Sequence, residues 1–164
     1  MQRNSGKEML SVALRAALAS LELLVLVGIY ALISACPSVV ELASKFPNKW
    51  EVLGPITAAT AVMFGWQLKV VHEMRNPQNQ NAQILHEWPD YEKLCIYCKV
   101  AICYGVISVA LSASWMLSNI VPYGATIILT GGGVMLMCVS YLCCHNAKDD
   151  MEHILTKFGP RTGK

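Results

Sequence analysis

Charge is scarce in this chain. Of its 164 residues only 15% are Asp, Glu, Lys or Arg, against about 25% in an ordinary soluble domain. Hydrophobic residues make up 54%, and the mean hydropathy is +0.42. Long polar stretches are missing too, which excludes a second, water-soluble domain built from this chain alone. A net charge of +2, without a basic stripe interleaved with aromatics, excludes a nucleic-acid interface. No internal repeat is visible, so an inverted-repeat transporter is not supported.

What is present is four apolar blocks, 10–35, 52–71, 94–117 and 123–144, crossed only by Arg15, Glu22, Lys69 and Lys99. Each has the roughly 20 residues that a helix rising ~1.5 Å per residue needs to cross ~30 Å of hydrocarbon. The expected fold is therefore an all-α integral membrane protein, a single four-helix transmembrane domain spanning 1–164. A signal peptide in place of the first span is disfavoured by Glu22 and by the length of the block.

The basic residues are distributed unevenly. Of the 13 Lys and Arg residues, only Lys45 and Lys49 fall between the first two blocks, and none between the last two. The positive-inside rule then places both termini and the 72–93 loop on the cytosolic (or matrix/stroma) side. Spans three and four, joined around Asn119 to Pro122, form a tight helical hairpin. Cys36-Pro37 should stop the first helix, and 38–46 reads as a short helix in the outer interface. Residues 145–164 read as a cytosolic amphipathic tail, because Met151, Ile154, Leu155 and Phe158 recur at i, i+3, i+4 and i+7.

Three groups of residues could carry chemistry or assembly. Glu22 falls in the middle third of the first block, where a charge costs at least ~2.5 kcal/mol. Arg15 lies one face-repeat earlier, about 10 Å along a helix axis. The second group is thiols: the hairpin brings Cys95 and Cys98 level with Cys143, Cys144 and His145. A Cys-x-x-Cys turn presents two thiolates together, so zinc is the metal this set would take. Juxtamembrane cysteines are also palmitoylation sites, and buried ones pack as small apolar groups. Disulfide chemistry is weakened because the outer side offers only Cys36. The third group, Gly54, Ala58, Gly65, Gly131, Gly132 and Gly133, suits close helix packing in lipid.

The expected function is a non-catalytic structural or accessory subunit of a larger membrane complex, in contact with lipid and with other subunits or its own copies. The alternatives are a small oligomeric transporter using Glu22 as its proton- or cation-coupling carboxylate, and a metal- or thiol-dependent protein using Cys95 and Cys98.

Overall fold

The computed structural model describes residues 20–46, 50–75 and 91–158. Over these it is helical: α1 (Leu21–Ala35), α2 (Pro37–Ser44), α3 (Trp50–Arg75), α4 (Tyr91–Ser112), a 3-10 turn (Ser114–Leu117) and α5 (Tyr123–Phe158). Arg15, residues 10–19 of the first block, the 76–90 part of the loop and 159–164 lie outside the described residues.

α5 is the axis of the bundle and packs against every other described helix. Its inward positions are Thr126, Thr130, Gly133, Met137, Ser140, Cys144 and Met151, all buried, with half-buried Ala147 completing the series. Steps alternating between four and three residues keep one seam on one face of a helix. α4 answers with buried Cys98, Ala101, Gly105, Ser108 and Ser112. Nearly all these residues are small, which lets two backbones approach closely. α3 adds a stripe repeating every seven residues, Leu53, Thr60, Gln67 and Met74, each at most 2% exposed.

The polarity of this bundle is reversed from that of a soluble one. Glu22, Thr60, Gln67, Ser108, Ser112, Ser114, Thr126, Thr130 and Ser140 are buried, while Leu24, Val27, Tyr30, Val62, Trp66, Ile120 and Leu142 face outward. Among the described residues two helices are long and apolar enough to cross a membrane, α4 and the Tyr123–His153 part of α5. α1 and α2 together make a third if the pair, bent by 90°, counts as one span. α3 is long, at 26 residues, but Thr57, Thr60, Gln67 and Lys69 dilute its apolar character.

Three expectations are corrected. The first block is not one helix over 10–35: Ser20 is an N-cap in extended conformation, its hydroxyl accepting the Leu23 N–H at 3.2 Å, and α1 starts after it. α4 stops at Ser112 rather than 117, and the 3-10 turn carries Ser114 and Trp115 inward. There Trp115 Nε1 donates to Thr57 Oγ1 at 3.0 Å, and Ser114 Oγ to the Thr126 carbonyl at 3.0 Å. The tail as far as Phe158 is no separate element but the continuation of α5. Neither Gly nor Pro falls between Val134 and Phe158 to break it. The end of α1 at Ala35 and the start of α2 at Pro37 follow the expected proline stop.

Candidate functional site

Polar and thiol groups gather where α3 ends, α4 begins and the apolar run of α5 gives out. Gln67 is the centre of the arrangement. Its Nε2 donates to the Ala101 carbonyl of α4 at 2.9 Å and to Ser140 Oγ of α5 at 2.9 Å, with Cys144 Sγ at 3.5 Å. The amide orientation is fixed, because a carbonyl can only accept. One side chain thus ties three helices together. Its Oε1 has no hydrogen-bond partner and rests against Gly105, where an added Cβ would lie 2.7 Å away.

Cys98 and Cys144 are buried beside this clamp, within one apolar cluster that includes Val70, Val71 and Met74. Cys95 and Cys143 are half-buried, and all seven cysteines are free thiols. His145 faces outward, its Nδ1 3.2 Å from Asp149 Oδ2 one turn on. The five residues considered for zinc therefore divide between the interior and the surface. Among the described residues no three His, Cys, Asp or Glu side chains come together in a way that could hold a metal. The physical reason is helical: neighbours such as Cys143 and Cys144 diverge by about 100° and cannot both turn to one ion. For lipidation, burial takes Cys98 and Cys144 out of reach of an acyl donor.

Glu22 lies elsewhere than expected. It occupies the first turn of α1, directly after the Ser20 cap, and approaches Cys143 and Cys144. That is the end of the α5 apolar run, not the middle of a span. It is only 5% exposed. Among the described residues it has no hydrogen bond or ion pair, and Arg15 lies outside them. A cavity of 570 Å³ opens beside it, lined by Ser20, Tyr97, Cys98, Cys143 and Cys144 together with apolar side chains from α1, α3, α4 and α5. Ser20 Oγ also reaches Tyr104 on α4, donating to its hydroxyl at 3.2 Å.

Outside the cavity a charged clasp joins α3 to α5. Lys148 Nζ lies 2.7 Å from Glu73 Oε2, with Lys69 3.9 Å from the same carboxylate and Glu152 3.7 Å from Lys148. The Lys148 hydrogen bond and charge hold the Glu73 carboxyl below its ordinary pKa.

The glycines divide by position. A Cβ on Gly133 would lie 2.6 Å from the Ser112 nitrogen and 2.7 Å from the Ser108 oxygen, so this glycine permits the α4–α5 contact. Gly132 meets the side chain of Ile29 on α1, and Gly124 meets the backbone of Val40 on α2. Gly28, Gly65 and Gly131 have nothing within 4 Å of an added Cβ. Ala58 is exposed and Gly54 half-buried. Of the six positions expected to pack helices, Gly132 and Gly133 lie against other helices of this chain. Gly65, Gly131 and Ala58 face outward.

Comparison of the chain with protein-family models, with curated proteins and with solved structures finds no match. The residues themselves are therefore the whole basis for a function.

Proposed function

We propose that this chain is a multi-pass membrane protein crossing the bilayer four times, with both termini on the cytosolic (or matrix/stroma) side, and that it serves as a non-catalytic accessory subunit of a larger membrane assembly. The carrying observation is the reversed polarity, with Ser, Thr and Gln inside and large aliphatic and aromatic side chains outside. In water such an exterior would drive aggregation, whereas lipid tails accept it without penalty. On this reading α3 crosses as the second span, its Thr and Gln groups satisfied inside the bundle.

The docking role is supported by the outward small residues. Gly28, Gly65 and Gly131 leave open space on three helices, and close helix approach in lipid relies on such positions. Mild detergent extraction at native expression, followed by identification of stoichiometric companions, tests the role. Wild type should bring down a membrane partner, and Gly65→Leu or Gly131→Leu should lose it while keeping the Tm of the isolated chain. A chain that runs alone, or variants that keep the partner, would remove the docking role.

A further inference from the structure

We infer that the cavity beside Glu22 is a binding site for an amphipathic organic amine, an ammonium head on an apolar body, with the Glu22 carboxylate as its counter-ion. This goes beyond the accessory role and does not depend on it. The walls are mostly carbon, from residues such as Leu94, Val100 and Ala147, and 570 Å³ falls within the ~300–1,000 Å³ of small-molecule sites. Among its described lining residues Glu22 is the one carboxylic acid, and there is no Lys, Arg or His.

Glu22 decides the sign of the ligand. It is 95% buried, given its 5% exposure, and a buried charge without a partner is strongly unfavourable. A cation supplied from the cavity completes the pair. An anion is repelled. A bare metal ion lacks the three protein donors it needs, since among the described residues no such group exists. A small hydrated cation would lose its water against carbon walls, whereas an apolar body gains from them.

The test uses the full-length protein in nanodiscs of phosphatidylglycerol, titrated with 4-phenylbutylamine, 4-phenylbutanol and 4-phenylbutyrate. These probes share one apolar body and differ in the head. The amine should bind saturably, at least about tenfold more tightly than the alcohol, with the acid weakest. Glu22→Gln should abolish that preference, and Glu22→Asp, which keeps the charge, should retain part of it. Val100→Trp, which fills the cavity, should reduce binding of the amine and the alcohol alike. Adding phosphatidylethanolamine distinguishes the source: competition assigns the site to a lipid amine headgroup, and its absence to a free amine. Equal binding of amine and alcohol, or an unchanged preference in Glu22→Gln, overturns the inference. So does binding that appears only in Arg15→Gln, which would show the chain's own arginine to be the occupant.

Discussion

Single residues hold this bundle together, and the three consecutive glycines of α5 show how differently neighbours can act. An alanine at Gly133 drives a methyl group into the α4 backbone, which cannot move aside without opening the seam. Overpacking of this kind costs about 1–3 kcal/mol. At Gly132 the obstacle is the flexible end of Ile29, so the loss should be smaller. At Gly131 the space is open, and alanine should be neutral or gain up to ~1 kcal/mol of helix propensity. Thermal unfolding in detergent should rank the variants Gly131→Ala above Gly132→Ala above Gly133→Ala, and any other order contradicts the described seam. Gln67→Leu should cost about 1–2 kcal/mol by removing the donor shared between Ala101 and Ser140. If the variant were as stable as wild type, the clamp would have no energetic role.

Elements are where the sequence is most legible and where it misleads. Four apolar blocks foretell helices because hydrocarbon-length runs have few other uses, and Pro37 marks a boundary by chemistry alone. Inside these blocks the usual signal fails, since hydrophobicity that surrounds a helix has no period. The informative period belongs to the small and polar residues. Thr126, Thr130, Gly133, Ser140 and Cys144 follow it, and their spacing alone marks the face of α5 that meets α4. Ser20 is hidden for a related reason: one serine inside an apolar run looks incidental until its backbone turns extended and its hydroxyl caps a helix. That break moves Glu22 from mid-span to a first turn, and without it neither the carboxylate's neighbours nor the cavity could be foreseen. The α3–α5 clasp also belongs to this scale. Glu73 titrates below its ordinary value, so its contribution is full above that value and fades as pH falls through the lowered one. The pair is partly exposed, with Glu73 at 40%, and its effect should be modest. Unfolding measured across the acidic range should show wild type losing stability relative to Lys148→Ala. Parallel curves would mean the clasp contributes nothing.

At the scale of the whole molecule, the proposed four-span arrangement rests on two observations, the reversed polarity of the bundle and the unequal distribution of basic residues. α3 is the critical element, because Thr57, Thr60, Gln67 and Lys69 leave it without a run as apolar as those of α4 and α5. Sidedness mapping with short reporter tags is the most direct test, with tags at the N-terminus, in 47–49, in 76–90, after Asn119 and at the C-terminus. The account predicts that both termini and 76–90 share the cytosolic (or matrix/stroma) side, with 47–49 and Asn119 opposite. A tag in 76–90 reporting from the same side as Asn119 would show that α3 does not cross, and would contradict the four-span bundle.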